Sequence, residues 1–540
     1  MKIDFPKKFP LWPVGAVLYG ISWPMPWKLN LSFLAWFAFV FLFLSLKKTK
    51  GFWRFWGKVW IFSFITHTVC SGWFLDIPTN KIWIVAGAFN ESLAFTLPFV
   101  PFYFMQKRIG FNRSLFALPF LFVTGEWIYC LSEHGLGYLL VVHSQTANLR
   151  LIQYADLFGF LSVTFWVFWF NVLTYTALEK CRHRVLSASF LVRMAVITLA
   201  MVSLPLGYSQ YRDRQIGRQK SDSLAVTMIH TRFAPKPKND EQRIRNLDRT
   251  VELTDSVDYY SKKKGIHRDL YVWHEGAIPL GNKAHILKFV QTAVQDWQVP
   301  LLSGMEYLVK FGDTGFWQPV NRVVLFSPHP DPAEPLPFYD KVHLAPGWES
   351  IPYLTLFHKL GIRFAGETKF HKKGDRMRLF EVPVRGRKVR FGTPICFEQN
   401  VPSIWNRMVR LGAECFVQVS FESWFGNTYF QKQVAYITRL RAIETRRGVA
   451  RCSNGGLTFF TDAFGRIYSQ ATGSESAVSD SLALSDTVTF YTRHPNLFPL
   501  ACLFVSGAYF VFVLFRGRRP IDRPVRPHPF LHRTRLKRVR

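Results

Sequence analysis

Three residues in this chain carry groups that together could transfer an acyl chain: Glu275, Lys341 and Cys396. They stand in the segments Tyr271-Val-Trp-His-Glu275-Gly-Ala-Ile-Pro279, Phe338-Tyr-Asp-Lys341-Val-His-Leu-Ala-Pro346 and Val389-Arg-Phe-Gly-Thr-Pro-Ile-Cys396-Phe-Glu398. A carboxylate can take and return protons, a thiolate can attack a carbonyl and form a thioester, and an ammonium can stabilise the oxyanion. Each residue also has an ordinary reading. Glu275 could end a strand in solvent, Lys341 could be a solvated loop charge, and Cys396 could be a buried core thiol.

The elements around these segments alternate at the spacing of an α/β layered domain. Leu224–His230, Leu270–Trp273, Leu301–Gly304, Arg322–Phe326, Lys388–Phe391 and Cys415–Val419 read as strands. Glu241–Tyr260, Ala284–Gln295 and Phe430–Arg447 read as helices, and Val449–Asn454 with Thr458–Thr461 as a hairpin. Glu275, Lys341 and Cys396 then fall just after strands or in loops, where such folds place their chemistry. Ser474–Ser485, rich in Ser, Ala and Asp, reads as a loop.

Outside this domain the chain is strongly apolar. A bilayer core takes about 20 apolar residues per helix. Seven spans are expected before the soluble region, near 11–27, 29–46, 55–75, 82–106, 114–131, 155–178 and 186–207, and an eighth near 496–515. Pro13, Pro24 and Pro26 interrupt the first two. The first could also be a signal peptide, since Lys2, Lys7 and Lys8 precede it, but no small-residue cleavage site follows. The expected domains are 1–210 (membrane bundle), 222–488 (catalytic), 496–515 (last span) and 516–540 (basic tail).

The net charge of +32 raises the question of nucleic acid, and its distribution answers otherwise. With a cytoplasmic N-terminus, the segments Met1–Pro10, Lys47–Arg54, Lys107–Arg113, Lys180–Arg184 and the tail after Arg516 all lie inside, rich in Lys and Arg. The alternate segments Asp76–Lys81 and Ser132–Arg150 carry few. This is the positive-inside pattern, and no nucleic-acid partner is expected. The tail could also touch anionic membrane lipid. Seven spans put the soluble domain outside the cytoplasm, on the periplasmic face in a bacterium. Cys396, Cys415 and Cys452 lie there, an odd number, so one thiol is free or paired elsewhere. Neither a metal motif nor a phosphate-cradling Gly-rich loop appears, so no metal and no cofactor are expected; His343 reads as a loop histidine orienting its neighbours, with ligand or base as the alternative.

Taken together and in this order, the Glu, Lys and Cys segments resemble the nitrilase superfamily, whose hallmark is that triad. With the spans on either side, nearly the whole chain resembles the apolipoprotein N-acyltransferase family. Tyr339 to Pro352 is similar to that family's Lys-x-His-Leu-x-Pro segment, with Glu349 in the place of its second Glu. Ile395-Cys396-Phe397-Glu398 is similar to its Cys-Tyr-Glu element, Trp424-Phe425-Gly426 to its Trp-Phe-Gly loop, Arg441-Ala-Ile-Glu444 to its Arg-Ala-x-Glu helix, and Ser453-Asn-Gly455 to its Asn-Asn-Gly turn. His274, Phe397 and the pair Phe421-Glu422 depart from the usual Pro, Tyr and Asn-Asp, which touches donor and acceptor preference rather than reaction class.

The resemblance implies a nitrilase-like four-layer αββα sandwich inserted after a seven-helix transmembrane bundle, with one further C-terminal transmembrane helix, in the bacterial inner membrane. It implies catalysis by Glu275, Lys341 and Cys396, support from Glu349 and Glu398, and substrate contacts at Phe397, Trp424 and Phe425. The donor would be a phospholipid and the acceptor the α-amine of a diacylglyceryl-cysteine on an apolipoprotein. A membrane-anchored amidase cleaving a small amide shares the triad, and an inert lipoprotein-binding scaffold is a third reading.

Overall fold

A computed structural model of the chain describes residues 11–77, 81–183, 187–218, 222–310, 317–364, 366 and 369–515. The N-terminal lysines and the basic tail lie outside the described residues.

The apolar stretches fold into helices. Among the described residues, five helical stretches are long and apolar enough to cross a membrane: Ile84–Ile109, which is interrupted at Leu97–Pro98, Phe111–Leu131, Leu161–Arg182, Ala188–Arg218 and Leu497–Phe515. Trp12–Ile21 and Ser32–Leu46 are shorter apolar helices, and Phe52–Cys70 is a further helix of 19 residues. The expected span at 11–27 is helical only over Trp12–Ile21, because Pro24 and Pro26 lack the N–H that a helix continues through. The expected span at 82–106 is two helices, Lys81–Thr96 and Phe99–Ile109, parted at Leu97–Pro98. Aromatic rings fill the interior: Phe168 stacks on Phe122 at 3.7 Å and on Phe39 at 4.7 Å. Outward, Leu199, Leu204 and Phe504 are exposed, as suits lipid-facing helices.

The catalytic half has two six-stranded mixed sheets. The first runs β12-β1-β2-β3-β4-β5, from β1 (Ser223–His230), β2 (Leu270–Val272), β3 (Leu301–Lys310), β4 (Trp317–Phe326), β5 (Phe338–Asp340) and β12 (Ser476–Ala483). The second runs β11-β10-β9-β8-β7-β6, from β6 (Phe380–Val384), β7 (Arg387–Gly392), β8 (Cys415–Phe421), β9 (Val449–Asn454), β10 (Thr458–Thr461) and β11 (Ile467–Ala471). In both, the central strands are parallel and the outer ones antiparallel. Their inner faces share one core, with Val226, Met228 and Val272 from the first sheet and Val417, Val419 and Cys452 from the second. Parallel strands buried on both faces explain the continuous apolar runs.

The segment expected as a loop at Ser474–Ser485 is instead mostly strand. Residues 476–483 pair antiparallel with all of β1. Val478 and Leu482 turn inward while Ser479 and Ser481 take the other face, an edge-strand alternation hidden by a linker-like composition.

Helix Asp240–Lys264 is built by its ends. Asn239 accepts from the Gln242 N–H, acidic residues open it, lysines close it, and Gly265 takes the left-handed conformation that ends it. It packs with Ala284–Trp297 against the first sheet, through Leu247, Val251, Val290 and Val294. Helix Phe430–Thr445 joins the catalytic half to the membrane half. Gln433 accepts from the Trp73 indole at 3.1 Å and donates to the Cys70 carbonyl at 2.9 Å. Glu444 accepts from the Phe160 N–H at 2.9 Å. Asp156, buried between the halves, forms ion pairs with Arg446 and Arg212, each at 2.8 Å. These ties fix the catalytic site over the bundle.

Candidate active site

Glu275 follows β2, Lys341 follows β5 and Cys396 follows β7, so three loops bring the three residues to one cavity of about 250 Å³. Gly304 on β3 makes room for the first loop: a Cβ there would lie 2.4 Å from the Gly276 nitrogen and 2.5 Å from the Glu275 Cα. Cys396 begins a short 3-10 turn and has φ of 45°. A non-glycine residue in that region is strained and persists only where its surroundings hold it.

Glu349 makes the firm ion pair with the Lys341 ammonium, at 2.8 Å, and Glu275 stands farther off at 3.8 Å. Lys341 is only 1% exposed. Burial opposes its charge, but Glu349, Glu275 and the Cys396 thiol together hold its pKa above the usual value. Glu349 also accepts from the Ala345 N–H at 2.7 Å; burial works against its charge, and Lys341 and His371 outweigh it, so its pKa is lowered.

Glu275 is the other kind of carboxylate. Burial raises its pKa, Glu349 adds to the rise, and Lys341, Asn321 and the Cys396 thiol oppose it. Its Oε1 accepts from the Asn321 amide at 2.5 Å, and its Oε2 is buried without a hydrogen-bond partner. A carboxylate that holds a proton more readily than usual, with one oxygen free, suits a general base. The Cys396 thiol is pushed up to about 12, by burial first and by Glu275 next, with Lys341 pulling the other way. The resting thiol is therefore protonated at neutral pH, and its proton must leave as it attacks.

Glu398 ties two of the loops together without entering the cavity. Its carboxylate accepts from the Tyr339 hydroxyl at 2.8 Å and from the N–H groups of Val342 at 2.9 Å, His343 at 3.1 Å and Ile395 at 2.8 Å. The Lys341 loop and the Cys396 turn thus share one acceptor. Burial raises its pKa to about 7, against the pull of those donors.

Phe397, Trp424 and Phe425 line the cavity with Phe421 and Trp348. Phe397 stacks with His343 at 5.9 Å. Phe425 packs on Phe430 at 4.0 Å and on Trp73 of the membrane half at 5.5 Å. The cavity continues into that half between Trp73, Ile84, Ala88 and Tyr138. Its wall is mostly apolar. Phe397 and Phe421, two departures from the family pattern, both face it, while His274 is buried behind Phe421 at 5.9 Å and donates from Nδ1 to the Glu275 carbonyl at 2.8 Å.

Two contributors were not legible as site residues. Asn321 donates to both Glu275 and Glu349, at 2.5 and 3.1 Å; its one signal is an Asn inside an otherwise β-forming run, where Asn is disfavoured. Arg451, buried on β9, pairs with Glu422 beside the cavity, and nothing short of the fold joins residues so far apart. All seven cysteines are free, and among the described residues no cluster of three or more metal-ligating side chains occurs.

Comparison with known proteins covers both halves. Residues 15–173 match the apolipoprotein N-acyltransferase N-terminal domain and residues 240–486 match the carbon-nitrogen hydrolase family. An apolipoprotein N-acyltransferase of Chlorobaculum tepidum is 31% identical over 95% of this chain and 97% of its own. One of Geobacter metallireducens is 25% identical over 94% of this chain and 95% of its own. Among solved structures, Nit3 of Saccharomyces cerevisiae, a member of branch 10 of the nitrilase superfamily, is 17% identical with a TM-score of 0.35, over 48% of this chain and 90% of that one.

Proposed function

The chain belongs to the apolipoprotein N-acyltransferase family, and from that premise we propose how its own residues carry the reaction. The enzyme is an acyltransferase that moves an acyl chain from a phospholipid, through a cysteine thioester, to the α-amine of a diacylglyceryl-cysteine at an apolipoprotein N-terminus.

In the first half-reaction Glu275 takes the proton of the Cys396 thiol while sulfur attacks the ester carbonyl of a phospholipid. The Lys341 ammonium and the Phe397 N–H stabilise the oxyanion. Glu275 returns the proton to the departing oxygen, which leaves as lysophospholipid. In the second, the acceptor amine attacks the thioester, Glu275 takes its proton and passes it to the departing Cys396 sulfur. The product is an amide and the enzyme is restored. Glu349 keeps Lys341 charged and in place, and Glu398 fixes the loops that carry Lys341 and Cys396. Phe397, Trp424 and Phe425 provide apolar contact for acyl chains.

The observation that carries this reading is the continuity of one apolar cavity from the triad into the membrane half. An amidase for a small amide has no use for such a cavity. Further support for membrane residence comes from the exposed apolar faces of Ala188–Arg218 and Leu497–Phe515. We take the chain to run as seven membrane helices over 1–210, a periplasmic domain over 222–488, an eighth helix over 496–515 and a cytoplasmic tail over 516–540, in the bacterial inner membrane. The positive-inside pattern supports that orientation. Two sheets with a shared core and helices outside them support a four-layer αββα arrangement.

Intact mass after incubation with phospholipid tests the reaction. An acyl adduct on the wild type and none on Cys396→Ala, discharged by a diacylated lipopeptide, is the expected result. Discharge by water at the same rate without lipopeptide would make the protein a hydrolase, and the absence of any adduct would remove the covalent step.

A further inference from the structure

Glu91 belongs to neither the triad nor its supports, yet it lines the same cavity. Helix Lys81–Thr96 presents Ile84, Gly87, Ala88 and Glu91 to it, the three- and four-residue spacing of one helical face. Glu91 is 3% exposed, and its Oε1 is buried with no hydrogen-bond partner. Tyr129 and the backbone at Tyr138 and Leu139 flank the carboxyl.

Glu126 shows what a satisfied carboxylate in this bundle looks like. It lines a small neighbouring cavity together with Glu91 and His67. One of its oxygens accepts from the Val141 N–H at 2.7 Å and the other from the Thr164 hydroxyl at 2.6 Å. The fold meets both oxygens of Glu126 and leaves one of Glu91 open. An ionisable group within membrane helices is costly to keep without a partner or a task.

The charges of the main cavity point the same way. Glu275, Glu349, Glu422 and Glu91 line it, with Lys341 as the cation among its lining residues. Lys341 is taken by Glu349, and Arg451 neutralises Glu422 from behind. Glu275 keeps Lys341 within 3.8 Å, so among the described residues Glu91, at the membrane end, is the one of the four carboxyl groups without a paired cation.

We propose that Glu91 binds a primary ammonium of a substrate at the membrane end of the catalytic cavity. This rests on the acyl-transfer reading above. Two substrates of that reaction can bring such a group: a donor phospholipid with an ethanolamine headgroup, and the acceptor through its α-ammonium. Glu91 selects and orients; the bond-making stays with Glu275, Lys341 and Cys396.

The test compares wild type and Glu91→Gln, with Glu91→Asp as the charge-preserving variant, by intact mass over time. Cys396 acylation is followed with phosphatidylethanolamine and with phosphatidylglycerol, which has no amine. Discharge of the acyl-enzyme is then followed against diacylated lipopeptide concentration. If the site holds the donor headgroup, Glu91→Gln slows acylation from phosphatidylethanolamine by about tenfold or more and leaves that from phosphatidylglycerol intact. If it holds the acceptor, both acylations stay normal and half-maximal discharge needs about tenfold more lipopeptide. In either case Glu91→Asp recovers part of the selective loss. Wild-type rates in all three assays, or equal losses in all three with both variants, overturn the proposal. A wild type that forms no thioester with either lipid would instead overturn the acyl-transfer reading and take this site with it.

Discussion

Asn321 donates to Glu275 Oε1 at 2.5 Å, and the same amide reaches Glu349 Oε1 at 3.1 Å. One side chain on β4 therefore lies between two buried carboxylates, the proposed base and the partner of Lys341. Its hydrogen bond is among the influences that lower the Glu275 pKa. With Asn321→Ala that influence goes, the Glu275 pKa rises further, and the pH at which acylation begins to climb moves upward. A hydrogen bond to a charged group contributes about 1.5–3 kcal/mol, so the rate should fall by roughly 10- to 100-fold. The pH profile of Cys396 acylation reads both effects, and an unmoved acid limb would remove Asn321 from the control of the base.

Glu275 raises the Cys396 pKa by its charge, which gives Glu275→Gln two opposite consequences. Losing the base should slow phospholipid acylation by about 10²–10⁴-fold. Losing the negative neighbour should lower the thiol pKa and so raise the thiolate fraction, and alkylation by iodoacetamide at mildly alkaline pH should become severalfold faster. Alkylation and acylation measured on one preparation separate the two. Slower alkylation would mean that Glu275 activates the thiol toward every electrophile.

The triad was legible because each member sits in a short segment of distinctive chemistry: Trp-His-Glu275-Gly, Asp-Lys341-Val-His, Ile-Cys396-Phe-Glu. The alternation of strands and helices was legible because buried parallel strands are apolar throughout and Asp240–Lys264 carries its own end signals. What escaped is what tertiary contact alone decides. Asn321 acts by its place between two loops, Arg451 by meeting Glu422 across β8 and β9, and β12 by pairing with a strand some 250 residues earlier. Helix ends in the membrane half shifted where proline removed a donor, at Pro24, Pro26 and Pro98.

Glu398 is the shared acceptor of four donors from two loops. In Glu398→Gln an amide group must face N–H groups that need an acceptor, so the Lys341 loop and the Cys396 turn should separate. Acylation should fall by about 10²-fold or more, whereas Tyr339→Phe, which removes a single hydroxyl donor, should cost roughly tenfold. Acylation rates of the two variants test this ordering. A Tyr339→Phe enzyme weaker than Glu398→Gln would place the role in the hydroxyl rather than the carboxylate.

Gly304 has no side chain because there is no room for one beside the Glu275 turn. The three nearest atoms to a Cβ there are the Gly276 nitrogen, the Glu275 Cα and the His274 oxygen, all backbone within 2.6 Å. None can rotate away, so Gly304→Ala must push the Glu275 turn off β3 or bend the strand. Overpacking of this kind costs about 1–3 kcal/mol in stability. The displacement falls on the backbone that carries the proposed base, where even 1 Å of misplacement is worth roughly 10²-fold in rate. Thermal unfolding and Cys396 acylation, compared on the same protein, should show a modest loss of stability and a far larger loss of rate. A variant that keeps its acylation rate would mean that Glu275 tolerates a looser turn than its packing implies.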